Sequence, residues 1–133
     1  MFMKPVLHDL PYLENWRWLS RRIRCALEPD EPRLIEHYLA EGRYLVRCTD
    51  TSAWTVAQTS FRVLLDTACD PMLPWHWRSQ CLDQAWRPLR DLRRLAQAYP
   101  NDQRWLPFAH QLANCRLLPS ISPSELMQGH FHE

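Results

Sequence analysis

The chain carries two glycines in 133 residues. Rossmann and P-loop sites need glycine so that backbone amides can approach a phosphate closely, and neither is expected here. Net charge is also nearly absent: sixteen Lys and Arg stand against fifteen Asp and Glu, a formal charge of +1. A general nucleic-acid binder has a larger basic surplus, so nucleic acid is an unlooked-for partner of the chain as a whole. The five cysteines, Cys25, Cys48, Cys69, Cys81 and Cys115, contain no CxxC pair, which argues against a zinc ribbon or a thioredoxin-like site. There is no GxSxG elbow and no readable nucleophile, base and orienter, so no catalytic residue is assigned. No apolar run approaches membrane-spanning length, and stable membrane insertion is not expected. His8, Asp9 and Glu14 interrupt the N-terminal stretch too early for a signal peptide. With dispersed thiols, this reads as a cytoplasmic chain.

What is present is aromatic and basic. Six of the seven tryptophans sit among arginines, as Trp16-Arg17-Trp18, Trp75-His76-Trp77-Arg78, Trp86-Arg87 and Arg104-Trp105. Hydrophobic residues make up 46% of the chain, which argues against wholesale disorder. A chain of this length buries roughly two thirds of its unfolded surface and needs no metal or disulfide to hold it.

The pattern of apolar residues is helical. A first helix is expected from Leu10 or Pro11 to Leu27, with Tyr12, Trp16, Leu19, Ile23 and Ala26 on one stripe. A second starts after an Asp30 cap and Pro32, buries Leu34, Ile35, Tyr38 and Leu39, and stops at Gly42. Residues 43–48 read as helix or ordered loop. A third, capped by Thr51 or Ser52, runs to Cys69 with Ala57, Phe61, Leu64, Leu65 and Ala68 inward. A fourth follows Pro74 with a seam of Leu82, Ala85, Leu89, Leu92, Ala96 and Tyr99, and a proline kink or two abutting helices are expected at Pro88. Asn101 caps a helix reaching Cys115, with Pro107 in its early turns. Ser122-Pro123-Ser124-Glu125 spells a capping box for a last short helix that Gly129 ends. The expected fold is all-α, a compact bundle of about five or six helices. Residues 1–9 form an arm, 10–128 one helical domain, and 129–133 a flexible tail.

The candidate site is a partner-binding surface of Arg17, Trp18, Arg21, Trp75, Arg87, Arg90 and Arg94. Trp18 points about 200° from Trp16 on an ideal helix, so the two cannot share one narrow buried face. Arginine combines planar stacking with a bidentate fork suited to carboxylates. The competing use is internal ion pairing, with Asp83–Arg87, Glu14–Arg17 and Asp91–Arg94 at favourable helical spacing. Cys25 and Cys81 read as buried structural thiols, and Cys69 and Cys115 as more exposed ones near helix ends. No cofactor is expected. Iron or haem is the alternative, with His37, Glu41, His76 and the cysteines as potential ligands and metal ligands otherwise unknown; His130 and His132 read as a loose tail element.

Two stretches, PYLENWRWLSRRIRCALEPDEPRLIEHYLAEGRYLVRC and LPWHWRSQCLDQAWRPLRDLRRLAQ, together with Glu125-Leu126-Met127-Gln128-Gly129, resemble the FagA family of small pseudomonad proteins. The family name refers to a Fur-associated, iron-responsive gene setting. The resemblance covers most of the domain. It implies service under iron limitation, beside fumarase and superoxide dismutase functions, and supplies neither a catalytic mechanism nor residue roles.

The combined expectation is a non-catalytic protein-interaction or regulatory factor acting in iron limitation or metal stress, with a protein partner and room for self-association. One alternative is a metal- or haem-dependent enzyme or carrier. The other is an RNA-binding helical module, in which arginines contact phosphate and tryptophans stack on bases.

Overall fold

Apolar side chains recurring every three or four residues are buried only when the helices carrying them face one another. The structure, a computed structural model, describes residues 6–121. Its helices are α1 (Val6–Arg24), α2 (Arg33–Cys48), α3 (Ala53–Ala68), α4 (Trp75–Gln84), α5 (Trp86–Gln97) and α6 (Leu106–Ala113). α4 and α5 are limbs of one bent helix, so the described residues form an all-α bundle of five helices. The expected capping box at Ser122–Glu125 and the tail lie outside the described residues.

α3 is the centre: it packs against α1, α2, α4 and α5. Val56, Ala57, Phe61, Leu64, Leu65 and Ala68 are buried along it. Its buried hydroxyls are satisfied within the helix, Ser60 Oγ donating to the Val56 carbonyl at 2.7 Å and Thr67 Oγ1 to that of Val63 at 2.6 Å. Ser52 caps its start, accepting from the Thr55 N–H at 3.3 Å.

Several expected helix ends lie elsewhere. α1 begins at Val6, inside the stretch read as an arm, and Pro11 lies within it. Proline there forfeits one backbone bond without preventing the turn before it from forming. α1 ends at Arg24 rather than Leu27. Ala26 takes a left-handed conformation (φ 50°), its N–H donating to Ile23 O and that of Leu27 to Arg22 O, both at 3.0 Å. This is the Schellman closure that glycine usually marks, here built on alanine.

Gly42 does not stop α2. It is buried in mid-helix, and residues 43–48 continue the helix. A Cβ at Gly42 would stand 3.0 Å from Val56 Cγ1 and 3.2 Å from Trp16 Nε1. The position is glycine because the Trp16 indole and α3 press against it. Asp30 does not cap α2 either; its Oδ1 lies 3.1 Å from His76 Nε2. Glu31 instead accepts the Arg33 N–H at 3.2 Å.

The kink or helix junction expected at Pro88 falls three residues earlier, at Ala85, where α4 abuts α5. Proline cannot donate to the carbonyl four residues earlier, that of Gln84. A break at Ala85 places Pro88 in the first turn of α5, where no N–H is required. α5 ends at Gln97, so Tyr99 falls beyond the seam and is exposed. Asn101 is a left-handed turn residue (φ 64°) rather than a cap, and α6 starts at Leu106 with Pro107 in its first turn.

Replacing Ala26 by Gly is expected to relieve the left-handed strain and raise stability by about 1 kcal/mol in urea unfolding. Gly42→Val is expected to lower it by about 2–3 kcal/mol, because the added methyls meet Val56 and Trp16.

Candidate functional site

Where α2, α3 and α5 meet, their facing residues leave a groove of about 320 Å³. Leu39 and Val46 of α2, Ala53, Val56 and Ala57 of α3, and Pro88 and Leu95 of α5 supply apolar lining. Four guanidiniums rim it: Arg43 and Arg47, one turn apart on α2, and Arg87 and Arg94, two turns apart on α5. Asp91 lies between the latter two. Arg87 is committed locally, its Nη1 donating to Glu36 Oε1 at 2.6 Å and to Gln84 Oε1 at 3.1 Å. Arg43, Arg47 and Arg94 are exposed and enter no ion pair among the described residues. The site therefore presents a cationic rim over an aliphatic floor.

Of the residues expected at a partner surface, only Arg87 and Arg94 are brought together here. Arg17, Trp18 and Arg21 are exposed on α1, which contributes no side chain to the groove. Arg90 faces outward and stacks over Trp86 at 5.1 Å. Trp75 lies under the Arg78 guanidinium at 5.4 Å. Trp18 and Trp75 are 51% and 48% exposed, and Trp86, absent from the expected surface, matches them at 49%. Arg43 and Arg47 were also absent from it. Their one-turn spacing was the available signal, hidden by reading Gly42 as the end of the helix.

The expected pair Asp83–Arg87 is replaced by Glu36–Arg87. The break at Ala85 interrupts the helical register that would have joined residues 83 and 87. Glu14–Arg17 and Asp91–Arg94 are not among the ion pairs described; exposed three-residue pairs gain little over hydration. Other exposed arginines lie over rings: Arg62 on Phe108 at 5.2 Å, Arg93 on Trp105 at 5.1 Å and Arg104 on Trp54 at 4.2 Å.

Arg78 is fully buried. Its Nε donates to Ala68 O at 2.8 Å and its Nη1 to Ser120 Oγ at 2.9 Å, while Nη2 has no partner among the described residues. Ser120 in turn donates to Leu73 O at 2.6 Å. Arg78 thus anchors the segment after α6 to the α3–α4 corner.

The thiols divide by environment. Cys81 is buried, and burial pushes it up to about 12, as fits a core thiol. Cys25 is exposed rather than buried, because it lies in the turn that leaves α1. Cys48 is exposed, as is Cys69, whose Sγ lies 3.4 Å from Cys115 Sγ. His37 is exposed and His76 contacts Asp30. Among the described residues, no three His, Cys, Asp or Glu side chains group so as to hold a metal ion. No described helix is long and apolar enough to cross a membrane.

Single Arg43→Ala, Arg47→Ala and Arg94→Ala substitutions are each expected to change stability by less than about 0.5 kcal/mol, since none removes an ion pair. Arg78→Ala is expected to cost about 3 kcal/mol or more in the same denaturant measurement, through lost packing and unsatisfied acceptors.

No protein-family model, curated protein or solved structure matches this chain.

Proposed function

We propose that this chain is a non-catalytic protein-interaction factor that holds an acidic, partly apolar segment of a partner protein in the groove between α2, α3 and α5. The observation that carries this reading is the presence of three rim guanidiniums, Arg43, Arg47 and Arg94, without ionic partners among the described residues, above aliphatic side chains. Carboxylates fit the arginine fork with two parallel hydrogen bonds. Burial of leucine-sized side chains on the floor supplies affinity, while the charged rim selects the partner. Trp18, Trp75 and Trp86 offer outer contacts to a larger partner. Resemblance to FagA proteins suggests iron limitation as the setting in which such a factor serves.

The RNA reading uses the same arginines but finds less support. Single-stranded RNA binding draws on aromatic stacking as well as phosphate contacts, and the groove is lined by aliphatic side chains without an aromatic ring. Ser60, the hydroxyl in the lining, already donates to Val56 O.

The test is fluorescence anisotropy with a labelled helical peptide carrying leucines one turn apart and flanking glutamates. Arg47→Ala combined with Arg94→Ala is expected to weaken binding by at least about tenfold, and replacing the peptide's glutamates by glutamine to weaken it similarly. Equal binding after both changes would remove the proposal. Tighter binding of a polyuridine strand than of the peptide, lost in the same double variant, would establish the RNA alternative in its place.

A further inference from the structure

We propose that Cys69 and Cys115 form a thiol–disulfide exchange site. Reaction with a small soluble disulfide, such as glutathione disulfide, joins them and fastens the segment after α6 to the end of α3. This inference does not depend on the groove.

The two sulfurs belong to distant parts of the chain, 46 residues apart, yet lie 3.4 Å from each other. Bonding requires them to close by roughly 1.4 Å. The backbone around each is held by other contacts. The Cys69 N–H donates to Leu65 O at 2.9 Å at the end of α3, and that of Cys115 to Leu112 O at 3.2 Å past α6. Beyond Cys115, the Ile121 N–H donates to Pro71 O at 2.7 Å, and Ser120 bridges Arg78 and Leu73. The segment is therefore already seated against the α3–α4 corner, and the thiols meet across a prearranged contact.

The pair has an asymmetry suited to exchange. Cys69 is exposed and open to a bulky disulfide, while Cys115 is half-buried behind it. Burial, with the Cys69 sulfur beside it, pushes Cys115 up to about 11, and the Arg78 guanidinium pulls the other way. Cys69 is thus the first nucleophile and Cys115 the resolving thiol.

Cys69 loses its proton to solvent, and its sulfur attacks one sulfur of glutathione disulfide. That S–S bond breaks, one glutathione thiolate leaves, and a mixed disulfide stands on Cys69. Cys115 then loses its proton, and its sulfur attacks Cys69 Sγ. The second glutathione thiolate leaves, and the Cys69–Cys115 bond is complete. Two electrons pass from the protein thiols to glutathione disulfide, and the two released protons are balanced by the two departing thiolates.

The experiment uses the full chain with Cys25→Ser and Cys48→Ser, which removes the other two exposed thiols. It is incubated with glutathione disulfide, quenched with acid, alkylated, and read by intact mass and peptide mapping. The expected product is two hydrogens lighter, with 69 and 115 linked. It melts about 5 °C or more above the reduced form, and dithiothreitol reverses the shift. Cys115→Ser is expected to accumulate one glutathionyl group on Cys69, whereas Cys69→Ser gives no linked product. Full alkylation of both thiols after exposure, or separate stable glutathione adducts on Cys69 and Cys115 without a link, would overturn the proposal.

Discussion

A buried indole must find an acceptor for its N–H, and two such acceptors fix how this bundle is assembled. Trp16 Nε1 donates to Tyr38 O on α2 at 3.2 Å, and Trp77 Nε1 to Ile23 O on α1 at 2.9 Å. The first joins the consecutive helices α1 and α2 and the second ties α4 back to α1, and leaving either N–H unmet inside the core would cost about 1–3 kcal/mol. Two unusual backbone choices accompany these bonds. Gly42 lies in mid-helix where Trp16 presses on α2, and Ala26 turns left-handed where α1 ends. Ile23 O receives both the Trp77 indole and the Ala26 N–H, so the end of α1 and the seat of α4 are the same few atoms. Gly42, one of the two glycines, is therefore placed to admit the Trp16 ring.

The groove depends on the bend in the fourth helix. Pro88 cannot accept a continuous helix through Gln84, and the resulting break at Ala85 lets α5 take its own course along α3. Pro88 then becomes lining rather than a defect, with Arg87 beside it and Arg94 further along the same limb. On the opposite wall, Arg43 and Arg47 reach the rim only because α2 continues past Gly42. A change that ended α2 at Gly42 would remove half the cationic rim.

The helix faces were legible in the sequence, because periodicity records burial directly: Trp16, Leu19 and Ile23, like Phe61, Leu64 and Ala68, are buried as their spacing requires. The outward turn of Trp18 followed from the helical angle alone. Helix ends were less legible, because their signals are local and were outweighed by tertiary packing. Gly42 carries the residue type of a stop but serves close approach, and Ala26 performs a stop without the residue type. An end of α2 at Gly42 also leaves Arg43 and Arg47 out of the helix, while the break at Ala85 changes the partner of Arg87 from Asp83 to Glu36. The Cys69–Cys115 contact left no local trace, since it depends on how the segment after α6 returns to the α3–α4 corner.

A formal charge of +1 describes the whole chain but not its surface. Several carboxylates are occupied away from the groove: Glu28 by Arg22, Glu31 by Arg33, Asp70 by Arg24 and Asp102 by Arg104. The last three are held below the usual carboxylate range, chiefly by hydrogen bonds from those guanidiniums. They remain ionised and paired, and exposed pairs of this kind contribute little to stability. Their larger effect is on distribution. Acidic residues held by nearby arginines elsewhere leave Arg43, Arg47 and Arg94 without ionic partners among the described residues, so a nearly neutral chain displays a cationic groove rim. Under the proposed function, such local segregation would favour one acidic segment at one place, where a uniform basic surplus would attract any polyanion.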